Sequence, residues 1–204
     1  MKRIVLIISM LICSITIWGQ DRSAVVEKIN AASQKITSLS CDFIQKKQVS
    51  ILDESIVSSG KLFFAAGNKL CWEYIKPYTY SFIMNGSKVL LRSGDSSNVF
   101  DTKTNKMFSQ ISKLIMSGVD GSGITDYDNF DITVIDGVKE VIVTMVPKNR
   151  DVRKMFSRIL LHFGKEDYFV KMIQMLEPSG DETSIEIINR KLNSAIDEKV
   201  FAIE

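Results

Sequence analysis

The residues of this chain that could carry out catalysis are few and poorly grouped. His162 is the only histidine among 204 residues. Ile159, Leu161 and Phe163 alternate with it, so in a strand the histidine is expected to point away from the apolar face. A catalytic triad built on histidine and a metal site with several histidines are therefore not expected.

The acidic residues and the glycines do not form a recognisable catalytic pattern either. Asp126, Asp128 and Asp131 crowd one segment, but the glycine and the final glutamate of a calcium loop are missing. The stretch 119–123, Val-Asp-Gly-Ser-Gly, matches neither a phosphate-binding loop nor a nucleophile elbow. We therefore predict a protein that is not an enzyme and has no metal site and no cofactor.

The N-terminus has the layout of a secretory signal peptide. Lys2 and Arg3 precede an apolar run from Ile4 to Ile17, and the first acidic residue is Asp21. Because this run is short for a membrane span, a retained anchor is the weaker alternative. We predict a signal peptide over residues 1–20 and export to the periplasm.

The charge of the exported chain limits its partners. Removal of Lys2 and Arg3 lowers the formal net charge from +2 to zero. Binding to nucleic acid relies on a net basic field, which this chain would lack. We predict that the chain has no nucleic-acid partner, that it is a monomer, and that residues 21–204 form a single domain.

Cys41 and Cys71 would both reach the oxidising compartment, where a disulfide could form. They lie on the strands before and after the one that contains Gly60. Two strand spacings would separate them by about 9 to 10 Å, beyond disulfide reach. Two buried free thiols are therefore predicted.

The segment from Ser59 to Gly86 predicts a three-stranded meander. A turn at residues 66–68 separates the first two apolar runs, Pro77 ends the second, and Asn85-Gly86 is a pair that type I′ turns prefer. Alternation places eight apolar or aromatic residues on one face of this meander: Leu62, Phe64, Leu70, Trp72, Tyr74, Tyr80, Phe82 and Met84.

The rest of the chain predicts one large antiparallel sheet with little helix. Val25, Ile29, Ala32, Ile36 and Leu39 form a helical stripe after Asp21. Eleven short strand-like runs follow, near 41–49, 56–65, 69–76, 79–85, 88–92, 97–101, 128–135, 139–147, 155–163, 168–176 and 183–190. So many twisted strands tend to curl, and a helix on the concave side would prevent closure. We predict a mainly β fold with some α: an unclosed β-barrel of about 11 strands with an N-terminal helix.

A second helical stripe interrupts the strands and predicts a short lid. Its apolar residues end before Gly118 and are Phe108, Ile111, Leu114 and Ile115. Such a lid would cover an interior rich in aromatic and methionine side chains, which suit a flexible apolar ligand. The alternative is that this stripe, like the N-terminal helix, only caps the core.

The meander also resembles the LolA family of periplasmic lipoprotein carriers. The matching residues are Gly60, Leu62, Phe63, Trp72, Pro77, Asn85 and Gly86. Further similarity lies at Phe43 and Gln45, at residues 180–183, and at Ile185, Ile187, Asn189 and Asn193. The family usually has Arg-Pro before the turn, where this chain has Ala66 and Gly67. The arginine that is thought to hydrogen-bond the closing helices is therefore missing. Either Lys61, Lys69 or Arg92 replaces it, or, as we expect, only the apolar stripes of residues 25–39 and 108–115 hold the closed state.

This resemblance implies a chaperone that carries acylated lipoproteins from an inner-membrane lipoprotein-releasing transporter to an outer-membrane receptor. The acyl chains would lie against Phe43 and the eight residues of the meander face. Two alternatives remain: a periplasmic binder of another lipid, such as a glycolipid or acyl product, and a lipid-sensing regulatory domain. An enzyme of lipid chemistry ranks below both.

Overall fold

The structure is a computed structural model that describes residues 20–51, 54–105, 109, 116, 119 and 121–203. Within these residues lie the helices α1 (Gln20–Ser33) and α2 (Arg150–Met155) and two 3-10 turns (Ser122–Thr125 and Glu198–Phe201). The strands are β1 (Ser38–Gln48), β2 (Ser55–Ala65), β3 (Lys69–Lys76), β4 (Tyr80–Asn85), β5 (Lys88–Ser93), β6 (Ser96–Asp101), β7 (Phe130–Asp136), β8 (Glu140–Pro147), β9 (Arg158–Gly164), β10 (Val170–Leu176) and β11 (Glu182–Leu192).

Two predicted segments fall largely or wholly outside the described residues. The signal peptide was assigned to residues 1–20, of which only Gln20 is described, as the first residue of α1. The lid residues Phe108, Ile111, Leu114 and Ile115 are not described. Among the helices that are described, none has the length and apolar character needed to span a bilayer.

All eleven strands form one antiparallel sheet, in the order β6-β5-β4-β3-β2-β1-β11-β10-β9-β8-β7. Strand β1 pairs with β11, which brings the first and the last strand together at the middle of the sheet. Strands β6 and β7 are the two edges and do not pair with each other, so the barrel is not closed. The predicted fold class is confirmed.

The sheet curls around one continuous apolar core. Eleven flat strands would span about 48 Å. Yet Val89 of β5 and Val134 of β7, near opposite edges, belong to the same cluster of buried side chains, together with Val25 and Ile29 of α1. The sheet must therefore wrap around the helix, whose apolar side fills the concave face.

The predicted meander is confirmed, but the predicted type of the turn that follows its third strand is not. Asn85 pairs with Lys88, so the two-residue loop is Gly86-Ser87. Gly86 has a φ of 63°. Neither Asn85 nor Ser87 has a positive φ, so the turn is type II′ rather than type I′. A glycine at the first central position is what this turn type requires.

The N-terminal helix is shorter than its apolar stripe predicted. Helix α1 ends at Ser33, and Leu39 lies in β1, where it is buried as a strand residue. The connection is held by Asn193, whose side-chain oxygen accepts from the Thr37 backbone N–H at 2.8 Å and whose side-chain nitrogen donates to the Lys35 carbonyl at 2.9 Å. The end of β11 therefore fixes where the helix enters the sheet.

The opposite face of the sheet carries a second, smaller core, which was not predicted from the sequence. Cys71, Ile83 and Leu90 are buried there against Phe201, which is fully buried. The C-terminal segment is tied down by an ion pair between Lys69 and Glu198 at 2.6 Å and by a hydrogen bond from the Asn85 side chain to the Phe201 carbonyl. Strands β3 to β5 are therefore buried on both faces.

Candidate functional site

The structure brings all nine predicted ligand-contacting residues into one cluster on the helix-bearing face of the sheet. Tyr74 and Tyr80 are partly buried and pack against it. The other seven are less than 9% exposed: Phe43, Leu62, Phe64, Leu70, Trp72, Phe82 and Met84. Cross-strand pairing accounts for this, since Leu62, Trp72 and Phe82 are direct partners across β2, β3 and β4.

Gly60 makes room for an aromatic group at the centre of this cluster. It pairs with Phe43 on one side and with Tyr74 on the other. The Phe43 ring lies 5.1 Å from the ring of Trp72 and 5.1 Å from that of Tyr74, the latter edge-on. A Cβ on Gly60 would lie 2.8 Å from Phe43 Cζ, so only glycine allows the ring to lie here.

Polar atoms are present at one side of the aromatic group. The Tyr74 hydroxyl donates to Gln45 Oε1 at 2.8 Å. Burial raises the pKa of Tyr74, so its hydroxyl stays a neutral donor. The indole N–H of Trp72 is buried and finds no hydrogen-bond acceptor within residues that the structure describes. The site is therefore apolar except for a small group of donors and acceptors near Tyr74.

A crevice lies beside the predicted residues, and strands β10 and β11 provide half of the residues that line it. It has about 260 Å³ of empty space, part of it open to solvent, and is lined by Leu39, Leu62, Val119, Val170, Ile173 and Ile187. Only Leu62 was predicted. Val170 and Ile173 both line it, although they are three residues apart, because a register shift follows Val170 in β10. Simple alternation could not indicate this.

Helix α1 lies on the concave side of the sheet, beside β7 and the 3-10 turn at Ser122–Thr125. Val25 and Ile29 are buried in the core, and Lys28 Nζ lies 5.6 Å from the centre of the Tyr168 ring, a cation–π distance. Of the three cations considered as replacements for the family arginine, Lys69 contacts Glu198 on the opposite face of the sheet. That the closed state rests mainly on apolar contacts stays a prediction.

The side chains that were considered for chemistry do not gather at this site. His162 lies on the outer face of the sheet, between Glu140 Oε1 at 3.3 Å and Gln174 Oε1 at 2.8 Å. Asp126 accepts from the Asn129 side chain within its own turn. Within the described part of the chain, no group of three or more potential metal ligands is found.

The two cysteines are free and buried, as predicted. The structure adds a second reason: Cys41 lies in the core under the helix, whereas Cys71 lies in the smaller core on the other face. Burial raises the pKa of the Cys41 thiol to about 12 and that of Cys71 to about 11. Both thiols are therefore protonated and unreactive at neutral pH.

The ion pair beside His162 predicts a pH dependence of stability. Lys171 Nζ lies 2.6 Å from Glu140 Oε2, and this contact, with His162 nearby, lowers the pKa of Glu140 from its ordinary value of 4.5. A lowered folded-state pKa stabilises the fold above pH 4.5 and loses that effect as the pH falls. Acid titration of unfolding should therefore show a shallower acid limb for Glu140→Gln than for the native protein. Identical acid limbs would contradict this assignment.

Comparison with known proteins agrees with this architecture. A family model described as outer membrane lipoprotein carrier protein LolA matches residues 34–204. An outer-membrane lipoprotein carrier protein of Pseudomonas paraeruginosa is 28% identical over 184 residues, covering 90% of this chain and 85% of the relative.

Two solved structures share the fold at low sequence identity. An uncharacterized conserved protein of Thermus thermophilus aligns with a TM-score of 0.55 at 8% identity, over 88% of this chain and 92% of its own. A MucA/MucB complex of Pseudomonas aeruginosa aligns with a TM-score of 0.52 at 9% identity, over 89% of this chain. This chain spans only 60% of the matched chain in that complex.

Proposed function

Because the chain belongs to the LolA family of outer-membrane lipoprotein carrier proteins, we propose that it is a periplasmic carrier of acylated lipoproteins. It would take them from an inner-membrane lipoprotein-releasing transporter to an outer-membrane receptor. Its partners would be the cargo and these two membrane proteins. The whole cycle would be non-covalent, without a cofactor.

The observation that supports this proposal most is the buried apolar face on the concave side of the sheet. Nine aromatic or aliphatic side chains from four strands converge there, beside a crevice lined by apolar residues. An acyl chain of about 15 methylenes costs on the order of 12 kcal/mol to leave in water. A protein that transfers such a chain through an aqueous compartment needs a surface of this kind.

The described residues form a closed state, since the predicted contact residues already pack against one another. An acyl chain would have to displace α1 and spread the aromatic group of Phe43, Trp72 and Tyr74. Such a closed state suits a carrier. When the acyl chain leaves, the apolar side chains pack against one another again, and these contacts offset part of the free energy lost on release. Tight, irreversible binding would defeat transfer.

Mass spectrometry of lipids and proteins that co-purify with the native protein is the direct test. Acylated lipoprotein in the bound fraction is the expected result. Bound glycolipid or free acyl product in its place would favour the other lipid-binding functions. A fraction that contains no acyl compound would contradict all three.

Trp72 should report the binding of ligand by its fluorescence. It is in ring contact with Phe43 and belongs to the apolar cluster, so an acyl chain entering the site must change its surroundings. Titration with a long-chain acyl probe should shift or quench emission, and Trp72→Phe should lack that change. An unchanged spectrum despite binding measured by calorimetry would show that the probe binds elsewhere.

A further inference from the structure

The indole N–H of Trp72 is a buried hydrogen-bond donor without an acceptor among the described residues. Trp72 is 8% exposed, and no atom of the described part of the chain accepts from its Nε1. Burial raises the pKa of Tyr74, and the Trp72 indole lowers it by a smaller amount, so the indole affects the Tyr74 hydroxyl. The two groups nevertheless do not meet the geometry of a hydrogen bond. Buried polar groups of native proteins nearly always have a partner, so an unpartnered one calls for an explanation.

We propose that Trp72 Nε1 donates a hydrogen bond to the carbonyl oxygen of the ester or amide that links an acyl chain to its carrier molecule. This inference rests on the proposed function and specifies which part of the acyl ligand lies at Trp72. The indole has a donor and no acceptor. It can therefore donate a hydrogen bond to a carbonyl oxygen, but it cannot form one with a saturated hydrocarbon.

The polarity of the surrounding residues supports this position of the carbonyl. Along β3, Leu70 precedes Trp72 and Tyr74 follows it on the same face of the strand. The cross-strand neighbours of Leu70 are both apolar: Phe64 in β2 and Met84 in β4. The Tyr74 side contains hydroxyl and amide groups, including Gln45. A ligand with its carbonyl at Trp72 would direct its hydrocarbon toward Leu70 and its polar end toward Tyr74.

The test compares two probes, methyl laurate and an alkane of matched length, by calorimetry on the native protein and on Trp72→Phe. The native protein should bind the ester about tenfold more tightly than the alkane, the factor expected for one satisfied buried donor. Trp72→Phe keeps an aromatic ring and removes the N–H. It should therefore bind the ester and the alkane with equal affinity, because the donor that distinguishes them is gone.

Nuclear magnetic resonance detects the hydrogen bond directly in the native protein. The indole ¹⁵N–H signal of Trp72, identified by its loss in Trp72→Phe, should move downfield with the ester and not with the alkane. Equal affinity of the native protein for both probes, or an equal loss of both in Trp72→Phe, would overturn the hydrogen bond and leave the proposed carrier function intact. Failure of both probes to bind would overturn the hydrogen bond and the proposed carrier function together.

Discussion

Replacing Gly60 with alanine is expected to lower the free energy of unfolding by about 3 kcal/mol or more. A Cβ at this position would lie 1.8 Å from the Glu73 carbonyl oxygen and 2.8 Å from Phe43 Cζ. The first contact is with the backbone of β3, so a side-chain rotation cannot relieve it. Strands β2 and β3 would have to separate, and urea unfolding followed by circular dichroism would measure the loss.

Gly67→Ala is the matched control for Gly60→Ala. Gly67 has a φ of 88°, and a Cβ there would meet no atom within 4 Å. Its replacement should cost only about 1 to 2 kcal/mol, the penalty for a left-handed backbone. The double variant Gly60→Ala, Phe43→Leu should remain unstable, since the backbone contact persists. Recovery of full stability in that variant would show that crowding of the Phe43 ring alone makes glycine necessary.

Replacing Ile29 with alanine is expected to lower stability and yet strengthen acyl binding. Ile29 is 1% exposed and fixes α1 to the core, so its truncation should cost about 2 to 4 kcal/mol. If the helix must move aside for an acyl chain, a weaker contact raises the fraction of open molecules and with it the apparent affinity. We expect a severalfold to about tenfold lower Kd for a long-chain acyl probe.

Leu90→Ala is the matched control for Ile29→Ala. Leu90 is also 1% exposed, but it packs on the opposite face of the sheet with Phe201. Its truncation should cost about the same stability and leave the Kd for the acyl probe unchanged. An equal gain in affinity for both variants would mean that general loosening, and not release of α1, admits the ligand. A loss of affinity in Ile29→Ala would show that the helix is part of the binding surface.

The strands and the antiparallel pairing of most consecutive strands could be predicted because each signal is local, whereas the pairing of β1 with β11 could not. Alternation of apolar residues defines strands such as Lys69–Lys76, and residues such as Gly67 and Pro77 mark where they end. Short connections between consecutive strands leave little choice but antiparallel neighbours. The shared face of Leu70, Trp72 and Tyr74 followed from the same alternation, so the main features of the candidate site were predictable as well.

Prediction from local patterns was wrong where one sequence pattern is compatible with two local structures. The apolar stripe of α1 continues to Leu39, but the chain leaves the helix after Ser33 because Asn193, about 160 residues away, holds Lys35 and Thr37 in another conformation. The type of the Gly86 turn depends on the register between β4 and β5. Neither feature is encoded by the neighbouring residues alone.

The amino-acid sequence by itself determined that this protein is a largely antiparallel sheet with one aromatic-rich face, because side-chain alternation and turn chemistry act over a few residues. Only the tertiary structure decided what that face surrounds. The bulge in β10 turns Val170 and Ile173 toward the same crevice, and the C-terminal segment buries Cys71 on the far side. Both depend on contacts between distant parts of the chain, whose free energy comes from burial in the folded state and not from local preference.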